Sequence, residues 1–333
     1  MELRRRVLSA EILDPRHEFE RRTMPVEVRW DPLTGQTARV LPDRGLMPRS
    51  EFDLEAFANE TAETCPFCVA RLDHQTPRFP ESLSPEGRFR RGSAVAVPNL
   101  FPYSRFSSVT IYAPELHYLP LGAMTDELVS ANLAAQVDFA RAAIEADPEA
   151  RWASINANHM LPSGSSLFHP HTQGSVDPIP TTMQRLLADT PAERFHGYVQ
   201  AERADGSRYL GSTGRVEWLA SFAPLAPCEL RAFAAGVASP AELDDALVRE
   251  LGTGIARALN LYGELGFESF NMAVYGAPPG TTGYPLNLRL ACRSNLKPLY
   301  RSDATFFERL HWEAAVDIAP EALAERAADR FRS

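Results

Sequence analysis

The stretch Asn158–Gly174, NHMLPSGSSLFHPHTQG, decides how the rest of the chain is read. In an extended backbone, side chains two apart share a face, so His169, His171 and Gln173 would line up as two imidazoles and an amide. Just upstream, Gly164, Ser165 and Ser166 offer small residues and hydroxyls where a phosphate can approach closely. An imidazole beside amide and hydroxyl donors suits attack on phosphorus, because the donors hold the charge that builds on the oxygens.

Working outward, Arg151–Asn156 reads as the strand leading into this stretch. Before it, Thr125–Asp147 reads as an amphipathic helix with Thr125 as N-cap, ended by Pro148. Ser93–Asn99 and Ser108–Tyr112 read as two strands joined by a Pro-Asn turn, with His117 just beyond the second. Thr64–Cys68, TCPFC, lies in a Pro-rich stretch, residues 45–92, that reads as irregular. A CxxC pair turns tightly enough for both thiolates to reach one metal, and a long loop needs such an anchor. A redox pair is the rival, but it usually opens a helix in a thioredoxin-like pattern, which is not evident here. Val28–Leu41 reads as strand, turn, strand, followed by a loop where Arg44 is placed to meet an anion. Residues 1–25 are charged and read as a partly helical or loosely ordered extension.

Downstream, Thr181–Ala201 reads as one helix. From Arg215 the order strand, turn, strand, helix, strand recurs: Glu217–Phe222, Glu229–Phe233, a long helix over Pro240–Gly266, then Phe270–Tyr275 and Leu286–Leu290. This pattern implies a degenerate duplication. At the place answering to the HPHTQ strand the second half reads Asn287-Leu288-Arg289-Leu290-Ala291, without paired imidazoles, so the chemistry belongs to the first half. The fold class is α+β, two tandem halves, each an antiparallel sheet with a crossing helix.

The 333 residues suffice for one large domain or two packed halves, and a net charge of -9 argues against a basic nucleic-acid-binding surface. No apolar run approaches 18 residues, and the N-terminus lacks the apolar core of a signal peptide, so the expectation is a cytoplasmic protein without a membrane span. Cys228 and Cys292 read as buried small apolar residues, and His74, His159 and His196 as surface or polar-loop residues, with His159 an outside candidate for a substrate contact.

In order and spacing, PLTGQ (Pro32–Gln36), the CxxC, the Asn99-Leu100-Phe101-Pro102 turn, His117 and the GSS…HPHTQ stretch resemble the galactose-1-phosphate uridylyltransferase family of the histidine triad superfamily. The CPFC string is also similar to the related ADP-sugar phosphorylases. The resemblance is strongest over residues 28–175. It implies an N-terminal extension (1–27), a histidine-triad-like half carrying zinc and active site (28–200), and a degenerate half with a sugar-binding tail (201–333). It implies one structural zinc on Cys65, Cys68, His117 and His169. His171 is then the nucleophile that takes a nucleoside monophosphate from a nucleoside diphosphate sugar, and Gln173 the donor to the phosphoryl oxygens. Asn158, Gly164, Ser165, Ser166 and Arg44 are implied at the phosphates, and Phe67, Asn99 and Phe101 at the nucleoside. Trp312 and Glu313 are implied at the sugar, reaching a partner subunit of a homodimer. The second substrate would be a sugar 1-phosphate.

The departures bear on the substrate. Met47 stands where the uridylyltransferases carry a second Arg. The Glu and three His of the family's second metal site are missing, with Leu187 near the Glu position, so no iron is expected. The Gln that follows the aromatic-Glu pair is also missing after Glu313. A phosphorylase or hydrolase, using inorganic phosphate or water as acceptor, is therefore the second reading, and a non-catalytic nucleotide-binding protein the third.

Overall fold

The structure, a computed structural model, describes residues 1–41, 52–297 and 304–331. Arg44 and Met47 lie outside the described residues.

The chain opens with an antiparallel ribbon, β1 (Arg5–Asp14) and β2 (Glu20–Trp30), where a helical or loose extension is expected. Nearly every side chain of β1 is exposed, so no apolar alternation marks it. At the far end of β2, Asp31 folds the turn into β3 (Thr37–Val40): its Oδ1 accepts from the backbone N–H groups of Leu33 and Thr34, both at 2.9 Å. The stretch read as irregular contains two short helices, α1 (Leu54–Ala62) and α2 (Val69–Gln75), the first capped by the Asp53 side chain. Three strands follow, β4 (Phe89–Arg91), β5 (Ala94–Pro98) and β6 (Phe106–Ile111). Then come α3 (Asp126–Ala146), capped as expected by Thr125, β7 (Trp152–His159) and β8 (His171–Asp177).

The helix expected over Thr181–Ala201 is two, α4 (Thr182–Ala188) and α5 (Ala192–Asp205), broken where Pro191 denies the backbone an N–H. Beyond it lie β9 (Tyr209–Thr213), β10 (Val216–Ala220), β11 (Leu230–Ala234), α6 (Asp245–Glu264), β12 (Ser269–Tyr275) and β13 (Leu286–Arg293). Asp244 caps α6, so the turn at Pro240–Glu242 is separate from the helix proper. The chain ends in α7 (Phe306–His311), β14 (Ala314–Val316) and α8 (Pro320–Phe331); β14 returns to pair with β3.

β4 to β13 form one sheet of ten strands in the order 4-5-6-8-7-12-13-11-10-9. Read inward from either edge, each set of five runs first, second, third, fifth, fourth in chain order, and β7 meets β12 at the middle. The fold is α+β and its large sheet antiparallel throughout, with α3 over the first five strands and α6 over the second. The main core fills this helix side: Leu247, Leu251, Ile255 and Leu259 of α6 meet Trp218, Phe270 and Leu288 from the strands. Each such side chain, fully buried, contributes about 1.5–3 kcal/mol. Gly254 lets α6 lie directly on Trp218, since a Cβ there would fall 2.1 Å from the indole.

The opposite faces of the two halves differ, and the candidate residues lie on one of them. In the second half, Arg231 and Arg289 point away from the helices and are sealed under Asp31 and Glu229. Leu33, Phe195 and Tyr198 pack over the same face. In the first half, the corresponding face carries His171 and Gln173, with α2 and the CxxC turn packed beside them on Val95, Val97, Val109 and Ile111.

Candidate active site and metal centre

The ligand atoms of Cys65, Cys68, His117 and His169 all lie within 4.8 Å of one another. Cys68 Sγ is 3.3 Å from His117 Nδ1 and 3.6 Å from His169 Nδ1, and Cys65 Sγ is 3.7 Å from His169 Nδ1. Sulfur and nitrogen ligands on a tetrahedral zinc ion sit about 3.5 Å apart at the usual bond lengths. The four residues thus fit a closed Cys2His2 site. Each imidazole is oriented through its other nitrogen. His169 Nε2 donates to the Ala113 carbonyl at 3.0 Å, and His117 Nε2 to the Thr61 hydroxyl at 3.0 Å, leaving both Nδ1 atoms for a metal. Thr61 in turn donates to the Phe57 carbonyl at 2.8 Å, so α1 holds the outer shell.

Burial, then the adjacent Cys65 thiol, push the Cys68 thiol up to about 11, so without a positive charge it stays protonated. Burial lowers His117 and brings His169 down to about 4, keeping both rings neutral and able to ligate.

His169 does not lie in line with His171 as an unbroken strand would place it. The chain bends at Phe168-His169, and β8 begins at His171. The bend turns the His169 ring to the cysteines and brings its carbonyl oxygen to 2.8 Å from His171 Nδ1. His171 Nδ1 therefore donates, and its Nε2 keeps the lone pair. Burial lowers the His171 pKa, against the backbone bond that favours its charged form, so the ring is neutral at ordinary pH. Phe67, between the two cysteines, packs edge-to-face on the His171 ring at 5.4 Å between centroids. The cysteine–histidine cluster thus positions the imidazole through both His169 and Phe67.

Gln173, two residues on, is on the same face, opposite Val109 of β6. Its Oε1 accepts from the Tyr103 hydroxyl at 2.7 Å. Asn158, at the end of β7, accepts through Oδ1 from Asn271 Nδ2 of β12 at 2.7 Å, and the same Asn271 amide donates to the Ser163 carbonyl at 2.9 Å. This leaves Asn158 Nδ2 to donate toward the Gly164 turn, where the glycine has φ +96°. Ser165 donates to the Leu167 carbonyl at 2.6 Å, which ties the loop to itself, and Ser166 is exposed. Asn99 accepts from the Phe101 backbone, and the Phe101 ring stands 80% exposed.

Behind β8, buried polar groups of α3 lock the strand. Gln136 donates to the Thr172 hydroxyl at 3.0 Å, Thr172 donates to Asn132 Oδ1 at 2.6 Å, and Ser108 donates to Gln136 Oε1 at 3.0 Å. A Cβ on Gly174 would fall 2.2 Å from that same Oε1, so α3 can approach only because position 174 is glycine.

Two candidates stand apart from this group. Glu313 accepts from the Thr37 hydroxyl at 2.8 Å and pairs with Arg39 at 2.6 Å, and Trp312, half-exposed, lines a cavity with Gln36, Met183 and Leu225. Neither contacts the His171 group of its own chain. His159 is buried, not at the surface as expected: its ring stacks on Phe270, 5.1 Å between centroids, on the helix side of the sheet. Burial, and to a lesser degree His171, lowers it to about 3.

Tyr103 and Asn271 were not legible as site residues. Their only sequence signals are a polar residue in the otherwise apolar run Phe270–Tyr275 and an aromatic just past the Asn99 turn.

No family model matches the chain. An uncharacterized protein of Archaeoglobus fulgidus is 29% identical over 314 residues, which are 90% of this chain and 91% of that one. Among solved structures, ADP-glucose phosphorylase from Arabidopsis thaliana with bound ADP-glucose superposes with a TM-score of 0.67 at 17% identity, over 91% of this chain and 99% of that one. A uridylyltransferase superposes with a TM-score of 0.61 at 19% identity, over 92% and 98%. The resemblance of the HPHTQ and CxxC motifs thus extends to the whole architecture, and the chain has the fold of the uridylyltransferases and of ADP-glucose phosphorylase.

Proposed function

We propose that the chain is a nucleotidyltransferase acting on a nucleoside diphosphate sugar through a covalent nucleotidyl-His171 intermediate. The observation that carries this reading is the His171 ring: neutral, its Nδ1 bonded to the His169 carbonyl, and its Nε2 free. In the first step Nε2 attacks the α-phosphorus, the P–N bond forms, and the sugar 1-phosphate leaves with the electrons of the broken P–O bond. In the second, a phosphate oxygen of the acceptor attacks the same phosphorus and the electron pair returns to Nε2. One nucleophile and one phosphate pocket serve both steps, because each is the other reversed in form. Gln173, Asn158, Ser165, Ser166 and Arg44 are the proposed phosphoryl contacts, and Asn99 with Phe101 the proposed nucleoside wall.

The Cys65, Cys68, His117 and His169 cluster is proposed to hold one zinc ion, all four positions filled by protein, so that the metal fixes the strand without entering the chemistry. On the resemblance we divide the chain into an extension (1–27), the half bearing the site (28–200) and the degenerate half (201–333). The proposed home is the cytoplasm.

For the acceptor, the engagement of Glu313 with Arg39 and Thr37 favours inorganic phosphate over a sugar 1-phosphate, unless a partner subunit draws Trp312 and Glu313 to its own site. A homodimer is part of the reading only in that second case. The test is intact-protein mass after mixing with ADP-glucose or UDP-glucose without acceptor. A gain of one nucleoside monophosphate, absent in His171→Ala, supports the reading and names the base. Unmodified protein with every donor overturns it.

A further inference from the structure

The contact that the proposed mechanism leaves unused is that between Tyr103 and Gln173. The loop after β5 does not run straight to β6. Asn99 takes the Ser107 carbonyl with its N–H at 2.9 Å, and its side chain folds the turn by accepting from Phe101 N at 3.0 Å. Ser104 donates to the Phe106 carbonyl at 2.8 Å and Arg105 pairs with Asp147 at 3.1 Å, which fixes the far side of the loop. Between these anchors Tyr103 is thrown back across β6 to reach β8. The residue is 63% exposed, and its hydroxyl donates to Gln173 Oε1.

A glutamine amide has one accepting and one donating end, and rotation about its last torsion exchanges them at little cost. With Oε1 held by the phenol, the NH2 end is the one left to face the neighbouring imidazole. Unheld, the amide is free to turn over. The carbonyl then faces the phosphoryl oxygens, which it repels, and offers an acceptor that can orient a water molecule there.

We propose that Tyr103 is a positioning residue that fixes the donor end of Gln173 toward the phosphoryl group and so decides whether the nucleotidyl-histidine passes to a phosphate acceptor or is lost to water. This rests on the covalent reading given above. In the lost branch, water oxygen bonds to phosphorus, the P–Nε2 bond breaks with its electron pair returning to His171, and the water's proton leaves to solvent; the products are a nucleoside monophosphate and free enzyme. In the productive branch the acceptor's phosphate oxygen takes the place of water.

The experiment is the lifetime of the adduct on wild type, Tyr103→Phe, Gln173→Ala and the double variant. Adduct is formed with whichever of ADP-glucose and UDP-glucose labels the wild type. It is followed by intact mass without acceptor, and by product ratio with inorganic phosphate and with glucose 1-phosphate. One hydrogen bond of ordinary strength biases the amide by about 2- to 10-fold. Tyr103→Phe should therefore shorten the adduct lifetime and raise the ratio of hydrolysis to transfer by roughly that factor. In the Gln173→Ala background the same substitution should change neither, since its route is gone. An unchanged lifetime and product ratio in Tyr103→Phe overturns the proposal, as does an equal change with and without Gln173. Absence of any adduct on the wild type overturns it together with the covalent reading, whereas a normal adduct insensitive to Tyr103 overturns it alone.

Discussion

His169 bonds in three directions: its ring Nδ1 faces the Cys65 and Cys68 sulfurs, its Nε2 reaches the Ala113 carbonyl, and its own carbonyl oxygen holds His171 Nδ1 at 2.8 Å. The cluster and the His171 imidazole are thus joined through one residue, yet separable by substitution. His171→Asn removes the proposed nucleophile and leaves Cys65, Cys68, His117 and His169 in place. Adduct formation and turnover should fall at least about 10³-fold, because the two-step route is lost. Metal content by plasma emission and the melting temperature should match the wild type. Turnover above a tenth of wild type would refute the assignment.

Cys65→Ser acts from the other side. It removes one sulfur from the cluster and should lower metal content, stability and adduct formation together, because a metal that binds only the folded chain stabilises it. A loss of about 3–5 kcal/mol corresponds to a melting shift of roughly 4–7 °C for a chain this size. A strong chelator should reproduce the shift in wild type and add little in the variant. Full metal content in Cys65→Ser would exclude it as a ligand.

How far the sequence carries the fold follows from where each signal sits. The inner strands of the large sheet were legible because residues such as Leu286, Leu288 and Leu290 alternate with Asn287 and Arg289, one face to α6 and the other to the ion cluster, whereas the edge strands β4 and β9 carry no such reading. The ribbon β1–β2 was not, because both its faces are largely exposed and nothing selects an apolar period. Helices α1 and α2 were missed for a different reason: they are short, and what fixes them is the cysteine–histidine cluster they surround. The motif residues announced their own chemistry. Their supports, Tyr103 at Gln173 from the loop after β5 and Asn271 at Asn158 from β12, lie far off in the chain, and a contact 70 or 113 residues away leaves no mark on local spacing.

The network behind β8 gives a stability prediction. Gln136→Ala strips the Thr172 hydroxyl of its donor and Ser108 of its acceptor in a region closed to water, and should cost about 1–3 kcal/mol. Gly174→Ala should cost more, since its methyl collides with the amide and with Ser108, and α3 must move away. Restoring room through the double variant Gly174→Ala/Gln136→Ala should recover part of that loss. Additive losses in denaturant unfolding would show that the two sites do not share the contact.

The plugged face of the second half sets the acid limb of stability. Burial by itself would raise the Asp31 pKa, but the charges of Arg231 and Arg289 and two backbone N–H groups outweigh it and hold the carboxyl well below the usual carboxylate range. A carboxyl depressed in the folded state stabilises at pH values above its unfolded pKa, near 4, and that contribution is lost as the pH falls from there toward the folded value. Wild-type stability should therefore drop below about pH 4. Asp31→Asn keeps the shape but leaves Arg231 and Arg289 short of a counter-charge, with Glu229 bonded to Arg289 as the remaining carboxylate. It should cost about 3–5 kcal/mol at pH 7. The acid limb should be shallower in the variant, because the group that protonates there is gone. Parallel acid limbs in urea titrations of the two proteins would assign the pH dependence to other carboxylates.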